Sequence, residues 1–340
     1  MIFVGRKFIN NFEDTLSLEY QEITKKKIKF ISLSAGRFTR TLTLKSFLDL
    51  LFIPIGFFQA LKIIIKERPN AILSFGGYLA LPIVFWGFLA GIPIYTHEQT
   101  ISPGLANRII GFFAKKIFVA FEKSTTYFNK TKTIVVGNPI RESVFKVIKR
   151  PFNLVKNRSV IYISGGSLGS HSVNELIKQI LPFLLKKFII IHQIGDTKEY
   201  HDYENLINYK NKLSKELQKN YFPKKFFFEE EIGYIYSLAD LVVSRAGANT
   251  FFELLSLKKP TIFIPLPWSA GKEQELQAKI FKEAGVGEIF YQWEDTSKLL
   301  QLIDKMIIER EKYQKNFDKL ANLYNKNAAK PIIKEILSAN

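Results

Sequence analysis

Short apolar runs alternate with longer amphipathic stretches along the whole chain, the pattern of βαβ units around a parallel sheet. In the first half, IFVGR (2–6), KIKFISL (27–33), AILSF (71–75), IPIYTH (92–97), KIFVAF (116–121) and TIVVG (133–137) read as strands. In the second half, SVIYIS (159–164), KFIIIHQ (187–193), KFFFEE (225–230), DLVVSR (240–245), PTIFIP (260–265) and GEIFY (287–291) do the same. Each set suits one doubly wound parallel sheet, so the expected class is α/β with two such domains facing a cleft. The join is expected in GNPIRESVFKVIKRP (137–151), where a turn-forming Asn-Pro precedes a basic amphipathic stretch. The polar segment 196–224 predicts a surface helix and loop.

Two apolar stretches test for a membrane span. Residues 47–65 are long enough, but Asp49, Pro54, Gln59 and Lys62 interrupt them. A charge near the bilayer centre costs a few kcal/mol, so a transmembrane helix is rejected. The uncharged run 79–94 predicts a buried or interfacial helix leading into a strand. Packing in an α/β core and docking on a membrane are compatible roles if one helix face stays exposed. Met1 opens directly onto a strand-like segment without a secretory leader pattern, and the protein is expected inside the cell.

Composition narrows the chemistry. At 340 residues, two domains are expected, and 47% hydrophobic with 24% charged residues is a globular balance. The absence of cysteine excludes disulfides, thiolate zinc sites and cysteine nucleophiles. A formal charge of +18 favours an anionic surface: nucleic acid, acidic phospholipid or a phosphorylated substrate. Without a nucleic-acid-binding motif, and with lysines spread along the chain, no nucleic acid is expected and an anionic membrane surface is preferred.

In open α/β sheets ligands bind beyond the carboxyl ends of the strands, so the loops there carry the candidates. After SVIYIS come Gly165, Gly166, Ser167 and Gly169, a tight turn into a helix whose free N–H groups suit a phosphate. Glycines also serve such turns by geometry alone. After AILSF, Gly76 and Gly77 allow a close backbone bend. His97 and Glu98 end another strand, where they suit general-base work or cap the next helix. After DLVVSR, Gly247 and Ala248 permit a turn, Asn249 or Thr250 is placed to cap a helix, and Glu253 is expected in its first turn. That carboxylate suits two ribose hydroxyls or simple complementarity to the helix dipole.

Taken together, FGGYLALP, IPIYTHEQ, LANRI, VVGNPIRESV, ISGGSLGSHSVNELI, LADLVVSRAGANTFFELLSLKKPTIFIPLP and EQELQAKIFKEAG resemble, in order and spacing, the bacterial MurG family. The resemblance implies a GT-B fold of two Rossmann-like domains. It also implies inverting transfer of N-acetylglucosamine from UDP-N-acetylglucosamine to the lipid-linked muramoyl pentapeptide in peptidoglycan synthesis. Residues 1–140 would form the acceptor and membrane domain, 151–325 the UDP-sugar domain, and 326–340 a helix returning to the first domain. By motif match, Ser167 would lie at the diphosphate, Glu253 at the ribose, Arg141 near the nucleotide sugar and Gln274 at the sugar. Ala248, Asn249, Thr250, Phe251 and Phe252 would wrap the nucleotide, with backbone near Glu229 at the uracil. His97 and Glu98, catalytic candidates, and Thr100 would face the acceptor. Placement is implied as peripheral, on the cytoplasmic face of the plasma membrane. The family's route needs no cofactor or metal, in keeping with the lack of an Asp-X-Asp motif.

The chain also departs from the family. Thr100 stands where Asn is usual after His-Glu-Gln, and Glu273 and Gln277 replace the His and Asn of the sugar segment. The family opens with a strand and a glycine-rich loop, whereas this chain opens at IFVGRK, which resembles the second strand. An N-terminally incomplete chain is expected on that ground, with neighbouring strands left unpaired. Two rival functions follow: UDP-sugar transfer to another lipid acceptor, or a UDP-sugar-binding subunit inactive by itself.

Overall fold

All but one of the predicted strands coincide with strands in the computed structural model, which describes residues 1–8, 16–34, 44–166, 169–196 and 199–338. The chain divides into two compact units, Met1–Val136 with Ala329–Asn340, and Gly137–Ala328. In the first unit β1 (Ile2–Gly5) pairs in parallel with β2 (Lys29–Ser32). A separate parallel sheet holds, in order, β3 (Ile72–Ser74), β4 (Ile94–Glu98), β5 (Lys116–Val119) and β6 (Thr133–Val135). Among the described residues no ladder joins β1 to β3. One apolar core nevertheless serves both sheets, with Leu33, Ile64, Ile72, Val84 and Ile94 buried together and Val4 packed against them.

The two long apolar stretches are the helices Leu44–Glu67, with Pro54 inside it, and Ala80–Leu89. Gly87 in the second lets the Ile72 side chain pack close, since a Cβ there would stand 2.3 Å from Ile72 Cδ1. No helix among the described residues is long and apolar enough to cross a membrane. The final helix, Ala329–Leu337, buries Ile332 with Tyr95, Phe118 and Val136 and so belongs to the first unit.

The second unit has one parallel six-stranded sheet. Its strands are β7 (Val160–Ser164), β8 (Ile189–Gln193), β9 (Tyr221–Lys224), β10 (Leu241–Ser244), β11 (Thr261–Phe263) and β12 (Gly287–Ile289). They lie in the order β12-β11-β10-β7-β8-β9. β7, β8 and β10 are buried along their whole length, as strands covered on both faces must be, which explains their largely aliphatic content. The helix His171–Lys187 buries Val173, Leu176, Ile177, Ile180, Leu181 and Leu184, a stripe at spacings of three and four. Each such side chain contributes roughly 1.5–3 kcal/mol by leaving water.

One strand is displaced from its prediction. KFFFEE (225–230) is a loop running into the helix Glu229–Leu238, and β9 is YFPK, four residues earlier, within the segment read as helix and loop. Pro223 argues against a central strand, but β9 is the sheet edge, where a missing N–H is tolerated. The rest of that polar segment does hold helices, Asp202–Lys212 and Lys215–Gln218.

The strand order also locates a site. From β7 the chain winds outward through β8 to β9, then returns to β10 and winds the other way to β12. The switch point lies between β7 and β10, and such a crevice is where doubly wound sheets receive ligands.

Candidate functional site

Two helix N-termini open onto this switch point, and among the described residues neither N-cap residue makes a side-chain capping bond. Beyond β7, Gly166 (φ +96°) and Gly169 (φ +81°) take left-handed conformations, and Gln193 Nε2 donates to Gly166 O (3.1 Å), holding the turn. Ser170 is the N-cap of His171–Lys187 but makes no capping bond. Its hydroxyl instead accepts from Arg245 Nη2 (2.8 Å). Beyond β10, Gly247 is the N-cap of the helix Ala248–Ser256, again with no side-chain bond. The expected capping by Asn249 or Thr250 is therefore corrected: both lie inside the helix, and Asn249 Oδ1 accepts from Asn138 Nδ2 (3.2 Å). Free first-turn N–H groups and the positive dipole ends leave two anion-seeking positions side by side.

Arg245, buried between them, was not singled out in the sequence. It donates to Ile264 O (2.9 Å), Ser172 Oγ (2.7 Å) and Gln292 Oε1 (3.1 Å) as well as to Ser170, and none of these acceptors is a carboxylate. Burial pulls its guanidinium down to about 10, so it remains a cation at neutral pH. Its signal is legible only once β7, β10 and β11 are known to be neighbours.

Glu253 sits in the second turn of its helix rather than the first, so dipole complementarity does not explain it. Its buried carboxylate accepts from Arg141 Nε (2.7 Å, to Oε1), from Arg141 Nη2 (3.3 Å, to Oε2) and from the Tyr236 hydroxyl (2.9 Å, to Oε2). Arg141 and Glu253 are thus brought together by the fold, and Tyr236 is a third member that sequence reasoning missed. Burial, with the Glu253 charge beside it, pushes the Tyr236 hydroxyl well above its ordinary range and keeps it a donor.

Other predicted residues take different places. Phe251 and Phe252 face the core, Phe251 against Phe281 (ring centroids 4.8 Å), so of these two only the backbone is left for wrapping a nucleotide. Glu229 is the first residue of its helix, just beyond β9. Gln274 Oε1 accepts from Leu266 N (3.0 Å), which orients its amide. Gln277 is fully buried with neither end of its amide paired. Gly165 is held by packing, since a Cβ would stand 2.4 Å from Ser170 N. Ser167 lies outside the described residues.

In the first unit His97 and Glu98 end β4, both buried. His97 meets Phe75 edge-on (6.2 Å). Glu98 is not a free base: Oε1 accepts from Thr100 N (2.8 Å) and Oγ1 (2.7 Å), and Oε2 from Asn107 Nδ2 (2.6 Å). It organises the loop, and Thr100 supplies the second of its short bonds. Helix capping is excluded too, because the N-cap of Leu105–Phe113 is Gly104. Gly76 (φ +83°) fits against the same cluster, where a Cβ would lie 2.2 Å from Asn107 Oδ1.

Two parallel α/β units, with paired helix N-termini, a buried arginine and a carboxylate at one switch point, define a glycosyltransferase of the GT-B fold class. Residues 160–336 match the glycosyltransferase family 28 C-terminal domain, and residues 13–119 its N-terminal domain. A relative from Clostridium tetani is 35% identical over 88% of this chain and 82% of its own length. It is named UDP-N-acetylglucosamine–N-acetylmuramyl-(pentapeptide) pyrophosphoryl-undecaprenol N-acetylglucosamine transferase. Among solved structures, Acinetobacter baumannii MurG aligns with TM-score 0.64 at 24% identity, covering 94% of this chain and 88% of its own. A UDP-GlcNAc 2-epimerase from Neisseria meningitidis aligns with TM-score 0.68 at 15% identity, covering 99% of both, a likeness of fold alone. The chain belongs to glycosyltransferase family 28 and, within it, to the MurG family.

Proposed function

We propose that this protein transfers N-acetylglucosamine from UDP-N-acetylglucosamine to an undecaprenyl-pyrophosphoryl muramoyl pentapeptide. The observation that carries the donor half is the switch point itself: two uncapped helix N-termini, Arg245 in the loop beyond β10 and Glu253 in the second turn of the helix that follows. Main-chain N–H groups and Arg245 would receive the diphosphate, Glu253 the ribose, and Gln274 the sugar. The acceptor hydroxyl attacks the anomeric carbon, the bond from that carbon to the β-phosphate oxygen breaks, and UDP leaves with its charge held by the helix ends and arginines. The proton of the attacking hydroxyl goes to a base, and by motif match His97 and Glu98 are the candidates. Glu98 already accepts three hydrogen bonds, from Thr100 and Asn107.

The purified chain, given UDP-N-acetylglucosamine and the muramoyl lipid, is expected to yield the disaccharide lipid and UDP. Epimerised sugar, or transfer only to another lipid, would refute the reading. Glu253→Ala is expected to weaken UDP binding by up to about 3 kcal/mol, the worth of a charged hydrogen bond. Unchanged affinity by calorimetric titration removes Glu253 from the ribose.

A peripheral seat on an anionic membrane is part of the same reading. Adjacent helices of the first unit expose Phe58, Phe85, Phe88, Leu105 (74%) and Phe112 (80%), with Lys62 and Arg108 exposed beside them. Apolar side chains rimmed by cations suit the headgroup boundary of acidic lipid. Phe112→Glu is expected to lower co-sedimentation with phosphatidylglycerol vesicles at least several-fold by inserting a charge at that boundary. Equal sedimentation of variant and parent would exclude this face.

A further inference from the structure

Both oxygens of Glu253 are occupied, yet a ribose needs them. The two side chains that hold it are unlike. Tyr236 is buried, and its ring packs edge-on against Tyr162 (centroids 5.7 Å, interplanar 84°). Its hydroxyl approaches from within the fold, as fixed as the core around it. Arg141 comes from the segment before the 3-10 turn Glu142–Phe145, and its side chain is 41% exposed against 9% for Glu253. One partner is built in, and the other reaches across from the surface.

We propose that Tyr236 is a positioning residue that holds Glu253 ready for the donor ribose, and that Arg141 is an exchangeable counter-ion which leaves Glu253 for the donor's diphosphate. The inference rests on the donor reading above and adds to it the order of contacts. A carboxylate offers about four lone-pair sites, so Tyr236 and two ribose hydroxyls fit on it together, whereas Arg141 with both does not. Arg141 does not leave for nothing. A buried carboxylate stripped of its cation is strongly disfavoured, so the exchange needs a ligand that brings its own negative charge to the guanidinium. UDP brings that charge. Uridine, with the same hydroxyls and no phosphate, has to compete with Arg141 for Glu253.

The consequence is a pair of effects with opposite signs. Arg141→Gln is expected to strengthen uridine binding several-fold while weakening UDP binding roughly tenfold, the scale of one charge-assisted hydrogen bond. Tyr236→Phe is expected to weaken UDP roughly tenfold on the same scale and to leave 2′,3′-dideoxy-UDP, which lacks the hydroxyls, unchanged. Calorimetric titration of the full chain with uridine, UDP and the dideoxy nucleotide reads every quantity. Uridine binding that is unchanged or weaker in the Arg141 variant overturns the exchange. Equal losses for UDP and the dideoxy nucleotide in the Tyr236 variant make Tyr236 a packing residue and overturn its positioning role. A parent chain that takes up no UDP sinks the donor reading and this inference together, whereas UDP uptake with effects of one sign sinks the exchange alone.

Discussion

Gly169→Ala is expected to destabilise the second unit by about 3–5 kcal/mol and to abolish UDP uptake, the larger part being steric overlap with fixed backbone. Gly169 holds φ +81°, where a side chain already costs about 1–2 kcal/mol. The added Cβ would also stand 2.2 Å from Ile194 O and 2.8 Å from Gly195 Cα, neither of which is a side chain able to swing aside. Relief requires the loop after β8 to move away from the turn, and with it the N-terminus of His171–Lys187. Gly166→Ala is the internal control. It has φ +96° with nothing within 4 Å of a Cβ, so it carries only the conformational cost. Thermal unfolding is expected to show the Gly169 variant melting about 10 °C lower, on the scale of a 150–250-residue unit. Near-parental melting with UDP still bound would mean that the turn is free to rearrange and is no rigid cradle.

The same comparison shows what a linear reading reaches. Glycines at 165, 166 and 169 announce a turn, but only the fold distinguishes the two barred by backbone contact, Gly165 and Gly169, from Gly166, barred by dihedral angle alone. Strands covered on both faces were legible as short, largely aliphatic runs. β9 was misplaced because Pro223 and its polar neighbours hide an edge strand, while Phe226, Phe227 and Phe228 mimic a central one. Arg141 and Glu253 were each marked by motif, yet their pairing across 112 positions was not. Arg245 and Tyr236 carry no local signal at all: each acquires its role from strands and helices that meet only in the folded sheet. Glu98 shows the converse, since an acid at a strand end looks like a base until Thr100 and Asn107 are seen to engage both of its oxygens.

Acidification is expected to unfold the second unit through His192, well before the exposed carboxylates titrate. His192 lies in β8 with no exposed surface. The polar network assigns its tautomer: Nε2 donates to Asn174 Oδ1 (3.1 Å) and Nδ1 accepts from the Tyr221 hydroxyl (3.0 Å). Burial lowers its pKa to about 3, against the opposing pull of Asp202. Unfolded chains protonate histidine near 6.5, so between those values the unfolded state binds a proton that the folded state refuses. Stability is therefore whole above about pH 6.5 and drains away as pH falls towards 3, by about 2 kcal/mol at pH 5 and about 3 at pH 4. Urea unfolding midpoints of the parent and of His192→Gln, followed from pH 7.5 to 4, isolate this contribution from that of the carboxylates. A parent slope no steeper than the variant's would show that His192 accepts its proton in place. The loss should reach the ligand site as well. Asn174, which His192 orients, donates to Ile194 O (3.1 Å) and Asp202 Oδ2 (2.7 Å), and Ile194 O is the wall against which Gly169 closes. A proton forced onto His192 goes to Nδ1, which then no longer accepts from the Tyr221 hydroxyl, and the new charge in the buried strand loosens β8 and the wall that follows it, so UDP affinity should fall over the same pH interval as stability, and should do so less in the glutamine variant.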